Sequence, residues 1–254
     1  MPRFFVHLSD LDGETVTLRG DNALHIAYAL RMAAGEHVAV SCEDMVYDCV
    51  LEAFSPDKAE PWVTARIVKA AKADTEPPYR AVLYQALPKG DKLDTIIQKA
   101  VECGVTRIVP FESSRCIARV KPEAETRKTE RRQKIAEEAA KQCRRGIIPE
   151  VTPTVRYDDV LSEARTADLV LFCYEAEGTL PLGGILSRKM PLIPNGEKPT
   201  VAVIVGAEGG FSPEEAEAAR EAGFSMTGLG KRILRCETAP TFVLSCLAYQ
   251  YELT

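Results

Sequence analysis

The chain has 254 residues, 46% of them hydrophobic and 27% charged, with a net charge of −5. That is enough for one large or two modest domains with a real core, and it excludes a generally cationic, sticky surface. Three His, and eight Cys with no Cys-x-x-Cys pair, argue against a metal site and suit free, mostly buried thiols in a reducing compartment.

No run approaches the roughly 18 consecutive apolar residues of a membrane span. The opening MPRFFVHLSD lacks the apolar centre of a secretion signal, so a cytoplasmic protein with no membrane partner is expected. Residues 1–72 predict short strands at Arg3–Leu8, Glu14–Leu18, Glu36–Cys42, Met45–Phe54 and Trp62–Ala70. Asp12-Gly13 signals a hairpin between the first two. One helix is expected over Ala23–Met32, capped by Asp21 and closed by Gly35. Several short strands around one helix suggest a small β-barrel.

Lys72–Pro78, charged and with two prolines, reads as a linker. From Tyr79 the rhythm changes to alternating strand and helix: strand Tyr79–Ala86, helix Lys92–Cys103, strand Thr106–Phe111. The helix carries its apolar stripe at Leu93, Ile96, Ile97, Ala100 and Val101, with Lys89, Lys92, Lys99 and Glu102 mostly toward solvent. A long helix follows over Pro122–Arg145, stopped by Gly146. Between Arg115 and Arg145 stand eleven basic residues against five Glu, a local +6. Such a strip on an acidic body suits a nucleic-acid face, and equally a solvated helix face. A strand at Asp168–Cys173 leads to Tyr174-Glu175. Residues 176–198, rich in Gly and Pro, read as a long surface loop. No internal repeat or low-complexity tract occurs.

Val201–Val205 is a β-branched run suited to a strand buried on both faces. Gly206-Ala207-Glu208-Gly209-Gly210 follows directly, then Ser212-Pro213-Glu214-Glu215, which has the pattern of an N-cap, a proline at the first helical position and a capping box. Strand, glycine loop and helix start make a nucleotide-binding arrangement, or a tight turn with no ligand. A phosphate cradle wants a cation, but none stands between Gly206 and Pro213, and Glu208 would repel phosphate. A phosphate-free nucleoside with a positive centre, S-adenosylmethionine, fits better than ATP or NAD. After a short strand at Ser225–Leu229, Lys231, Arg232, Arg235 and Glu237 fall within seven residues. The final helix is apolar at Phe242, Val243, Cys246, Leu247 and Tyr249. Cys236, among those cations, could be a thiol of lowered pKa.

GAEGGFSPEE followed by LGKRILRCETAP resembles the two C-terminal signatures of the SPOUT methyltransferases, and in particular the ribosomal RNA small subunit methyltransferase E family, whose members methylate N3 of a uridine in 16S RNA. KLDTIIQKAVECGVTRIVPF is similar to another signature of that family. AAKQCRRGIIPEV matches its AxxQxxR…P segment at Gln142 and Arg145, and MPRFF and Leu30-Arg31 match its opening domain. Ala207 stands where the family usually has Pro, and Arg144 where it often has a small residue.

The alternating pattern from 79 to 254 gives a parallel sheet with helices on both faces, and the resemblance implies an α/β fold whose knot cannot be reached by pattern reading. It is a SPOUT-type knotted parallel sheet flanked by helices (79–254), preceded by a PUA-like β-barrel that binds RNA (1–72). It further implies a homodimer with shared sites and no metal. Adenosyl contacts are expected at Gly206, Gly209, Leu229, Gly230 and Leu234, with Glu208, Thr238 and Glu175 as polar partners. Arg235 is the first catalytic candidate and Arg145 the second, the latter supplied by the partner subunit; Glu237 is the least implausible base. Arg3, His25, Arg31, Arg115, Arg119, Arg132 and Arg144 are candidates to meet the 16S rRNA of the small ribosomal subunit. Two other classes remain open: a phosphate-binding nucleotide enzyme, and an RNA-binding module without catalysis.

Overall fold

The computed structural model describes residues 1–188 and 197–253, and the chain divides into two compact units, Met1–Glu76 with Ala140–Ile148, and Pro77–Ala139 with Pro149–Thr254. The second part of the 176–198 loop, residues 189–196, lies outside the described residues. Its first part is not a bare loop, because a short strand, Leu180–Pro181, and a one-turn helix, Leu182–Leu186, stand within it.

In the first unit six strands form one sheet. β1 (Arg3–Phe5), β2 (Leu11–Asp12), β3 (Thr15–Arg19), β4 (His37–Cys42), β5 (Met45–Phe54) and β6 (Trp62–Lys72) lie in the order β1-β4-β5-β6-β3-β2. Alternation along the strands turns Val16, Leu18, Val38, Val40 and Leu51 to one core with Phe4 and Ile26.

Two expectations are corrected here. The end strands β1 and β2 are not paired with each other, so the sheet is open rather than a closed barrel. They are three and two residues long, and each pairs with a single neighbour, β1 with β4 and β2 with β3. The hairpin is also not the expected one. A 3₁₀ turn at Leu8–Asp10, tied by His7 N–H to Asp10 Oδ2 at 3.0 Å, breaks the first strand. β1 therefore pairs in parallel with β4, and β2 makes the hairpin with β3 across Gly13-Glu14. The helix starts earlier than expected: α1 spans Gly20–Leu24, Asp21 sits in its first turn instead of capping it, and a π-helical turn, His25–Ala29, completes it.

The second unit is an all-parallel sheet flanked by helices. Its strands are β7 (Arg80–Ala86), β8 (Val105–Glu112), β9 (Glu150–Val151), β10 (Val155–Arg156), β11 (Leu169–Cys173), β12 (Leu180–Pro181), β13 (Thr200–Val205) and β14 (Ser225–Gly228). They run β10-β8-β7-β13-β11-β14-β12, with β9 beside β8. The central strands β7, β13 and β11 are buried almost throughout, as expected where helices cover both faces. The helices are α2 (Lys92–Glu102), α3 (Pro122–Gln142), α4 (Tyr157–Ala164), α5 (Leu182–Leu186), α6 (Pro213–Glu221) and α7 (Thr238–Glu252). All five stripe residues of α2 are buried. Among the described residues no helix is long and apolar enough to cross a membrane.

The long helix ends before the expected Gly146. Its last turn, from Ala140 on, belongs with the first unit. The left-handed residue after it is Arg144, at φ 62°, and Arg145 N–H returns to Ala140 O at 2.9 Å, a Schellman-type closure. Gly146 serves packing instead: a Cβ there would collide with that of Ala73.

Candidate functional site

The site is built where β13 ends. Buried Gln85, at the end of β7, donates from Nε2 to Gly206 O at 3.3 Å and so holds the first glycine of the loop. Gly210 N–H closes a turn on Ala207 O at 3.0 Å, with Gly210 at φ +62°, so Ala207 forms the turn without the family's proline. That left-handed backbone is what favours glycine at 210, and a Cβ there would also displace the Glu175 carboxylate, whose Oε1 would lie 2.7 Å away.

Beyond the loop, Phe211 is wedged against Phe172 at 4.3 Å between ring centroids and stacks with Phe111 at 6.3 Å. The capping box of α6 forms as the sequence predicts. Ser212 Oγ accepts Glu215 N–H at 3.2 Å, and Glu215 Oε2 accepts Ser212 N–H at 2.9 Å. Such a cap stabilises a helix start by about 1 kcal/mol. Glu215 Oε1 also takes Ser114 N–H at 2.6 Å, tying the segment after β8 to the same cap. The glycine loop is thus anchored at both ends by the core.

A cleft of about 430 Å³ opens between this loop and the loop that follows β14. Of the residues assigned from the sequence, Gly206, Glu208, Leu229, Gly230, Leu234, Glu175, Arg235 and Glu237 line it. Gly209 and Thr238 stand outside that lining. The carbonyl of Gly209 accepts from Arg115 Nη1 at 3.0 Å, and Thr238 opens α7, its N–H returning to Arg235 O at 2.8 Å. Sequence reasoning missed Lys92, which lines the cleft instead of facing solvent; no pattern signals this, because its partners lie more than a hundred residues on.

The electrostatics are concentrated at one point. Lys92 Nζ lies 2.9 Å from Glu208 Oε1 and 3.4 Å from Glu237 Oε2, while Lys89 N–H also reaches Glu208 Oε1 at 3.2 Å. Partial burial disfavours the ionised Glu208, but the bonds from Lys92 and from backbone N–H groups outweigh it and hold the carboxyl below the usual carboxylate range. Glu237 is held below that range too, first by its own backbone N–H, then by the Cys236 thiol and Lys92 against some burial. Cys236 is not the activated thiol the basic loop suggests. Burial, then hydrogen bonding to Glu237 at 3.2 Å, pushes its pKa up to about 12. Arg235 is 83% exposed, steadied by Glu237 at 4.0 Å.

The remaining arginines are used otherwise. Arg145 is outside the cleft lining, 3% exposed, and bidentate with Glu76, whose Oε2 lies 2.6 Å from Nη2; Glu76 also accepts Gly146 N–H at 2.9 Å. Burial works against the Glu76 charge, yet Arg145 and the backbone keep its carboxyl below the usual range. The expected linker is therefore packed at Glu76. Arg3 donates to the carbonyls of Arg144 and Arg145, capping the C-terminus of α3 instead of projecting outward. Arg132 is buried and donates to Thr154 Oγ1 at 3.2 Å. Arg119 donates to Ser113 O at 3.0 Å. Arg31, His25 and Arg144 are exposed, and the His25 ring meets Phe4 edge-on at 5.8 Å.

The cleft suits a phosphate-free nucleoside. Its volume lies in the usual range for small ligands, roughly 300–1,000 Å³. Glu175, Glu208 and Glu237 offer acceptors for hydroxyls or a cation. The lysine of the glycine-loop wall is already bound to two carboxylates that a phosphate would have to displace. The residues present therefore fit S-adenosylmethionine.

Comparison with known proteins agrees with this geometry. Residues 75–248 match the RNA methyltransferase domain family. Ribosomal RNA small subunit methyltransferase E of Bacillus subtilis is 32% identical over 257 residues, covering 100% of this chain and 98% of that one. The chain belongs to the ribosomal RNA small subunit methyltransferase E family of RNA methyltransferases. The family member from Aquifex aeolicus is 33% identical over 92% of this chain and 94% of its own. Among solved structures, the family member from Neisseria gonorrhoeae bound to S-adenosyl methionine superposes with a TM-score of 0.82 at 29% identity, covering 100% of both chains.

Proposed function

We propose that this protein uses S-adenosylmethionine to methylate N3 of a uridine in the 16S ribosomal RNA of the small subunit, in the cytoplasm. The observation that carries this reading is the shared cleft: an acidic glycine loop and an arginine-bearing loop face one another, joined through Lys92 and Glu237. The names of the full-length relatives, and the methyl donor held by the Neisseria gonorrhoeae protein, support the same donor and substrate.

The methyl donor supplies an electrophilic methyl on a sulfonium centre. The chain's tasks are to hold uracil in line with that methyl and to tolerate loss of the N3 proton. Uracil becomes anionic as that proton leaves. The guanidinium of Arg235, always protonated and projecting from its loop, stabilises the developing charge. Glu237 is a poor base, being paired with Lys92 and held below the usual carboxylate range, so water takes the proton. Arg145, committed to Glu76, takes no part in the chemistry and secures the end of α3.

RNA is met by the cations left projecting into solvent. On α3 these include Arg127 and Lys134, close in helical phase, with Lys128 about 100° round the helix, and in the catalytic loop Lys231 and Arg232. The first unit acts as a PUA-like RNA-binding module through exposed Arg31 and Tyr28, the latter capped by Lys58 Nζ at 4.5 Å. We assign the 206–210 and 229–237 loops to a trefoil-knotted crossing around the adenosyl group. The enzyme works as a homodimer: Phe242 and Tyr249 on α7, with Leu253 just beyond its end, form an exposed apolar face, and Ile233 is 88% exposed at the loop tip. Mass mapping of small-subunit RNA from cells lacking the gene tests the whole reading. One lost methyl-uridine, restored by this protein, is expected; an unchanged RNA overturns it.

A further inference from the structure

Lys92 sits where its charge is out of place. It is the first residue of α2, and the positive end of a helix dipole disfavours a cation there. The ammonium is nevertheless held between two carboxylates from different segments, Glu208 of the glycine loop at 2.9 Å and Glu237 of the arginine loop at 3.4 Å. Lys89 N–H, just before the helix, adds a third bond to Glu208. Glu237 is in turn the neighbour of Arg235 at 4.0 Å. A chain of contacts thus runs from one wall of the cleft to the other through a single side chain.

We propose that Lys92 is a positioning residue that sets the spacing of the two cleft walls, and with it the placement of Arg235, so that its bridge governs how tightly the methyl donor is held. The inference rests on the methyl-donor reading and deepens it. Without the ammonium, Glu208 and Glu237 become like charges facing each other and the walls part. Both the cationic donor and its demethylated product, S-adenosylhomocysteine, then lose the same preformed groove. A lysine acting only through its charge would behave differently. Its removal would strengthen the cationic donor and leave the affinity of the product, which lacks the sulfonium charge, unchanged.

Calorimetric titration of the full chain with both ligands tests this, using Lys92→Met, Lys92→Arg and, as an independent break of the same bridge, Glu237→Gln. Lys92→Met is expected to weaken the product by about tenfold, the size of effect seen for coupled neighbouring groups, and the donor by less, because the two freed carboxylates also attract its sulfonium. Lys92→Arg, which can still span two carboxylates, should recover most of that loss, and Glu237→Gln should weaken both ligands less. In turnover, KM for the donor should rise in parallel with Kd. An unchanged product affinity in Lys92→Met overturns the role given to Lys92 while leaving the methyl-donor reading in place. A wild-type chain that binds neither ligand overturns that reading itself.

Discussion

The two arginine-bearing segments of this chain are used in opposite ways. Between Arg115 and Arg145 the local excess is the larger, yet several of its arginines are held by partners within the protein, and two of them are buried. Arg115 and Arg119 donate to backbone carbonyls, Arg131 pairs with Asp94 at 2.7 Å, and Arg132 and Arg145 are buried against Thr154 and Glu76. Between Leu229 and Glu237 the cations are fewer but project outward, with Lys231, Arg232 and Arg235 all exposed along one side of a cleft. The difference teaches that counting charge along a sequence measures supply, whereas function depends on what partners leave unspent. A buried guanidinium contributes architecture; an exposed one above a cleft can meet a substrate.

The comparison breaks most visibly at Arg235. Replacing it with Ala should lower kcat by about 10²–10³, the range for removing one preorganised charge-stabilising group. Donor affinity by calorimetry should change far less; an equal loss in both would recast Arg235 as a donor-binding residue.

In the other segment the expected cost is stability. Glu76→Gln leaves the Arg145 guanidinium buried without its counter-charge, which should destabilise the fold by about 3–5 kcal/mol in urea unfolding. Because the Glu76 carboxyl is held below its ordinary range, the wild-type contribution is fully present above that range and fades as pH falls through the depressed value. The variant should lack that acid-side dependence. Activity per folded molecule should be unaltered, in contrast to Arg235→Ala.

The smallest effects belong to the solvent-facing cations of α3. Exchanging Arg127, Lys128 or Lys134 singly for Ala should weaken RNA binding uniformly and reduce the slope of log K against log salt by about 1 each. Arg132→Ala should leave that slope alone. A slope lowered by Arg132→Ala and untouched by the other three would reverse the assignment of the RNA face.

What could be read from the sequence followed from how local each signal is. The capping box at Ser212–Glu215, the β-branched strand Val201–Val205 and the stripe of α2 all depend on residues within a turn or a strand of each other, and all formed. The shared cleft was legible because loops following parallel strands of one sheet, here β13 and β14 on either side of β11, must reach the same sheet edge. Long-range partners were not. Arg145 meets Glu76 across 69 positions, and Lys92 meets Glu208 across 116, separations over which no periodicity speaks. Two-residue strands such as β9 and β12 exist only because longer neighbours pair with them. The helix stop at Arg144 rather than Gly146 follows from closure onto Ala140 and from the need to pack a side-chain-free residue against Ala73.

The most direct test is a crystal structure of the full chain with S-adenosylmethionine soaked in. The donor should lie between residues 206–210 and 229–237, with Glu208 and Lys92 still bridged and the Arg235 guanidinium on the side where the methyl emerges. Density for the donor anywhere else, or a donor in that cleft with Arg235 turned away from its methyl, would contradict the account.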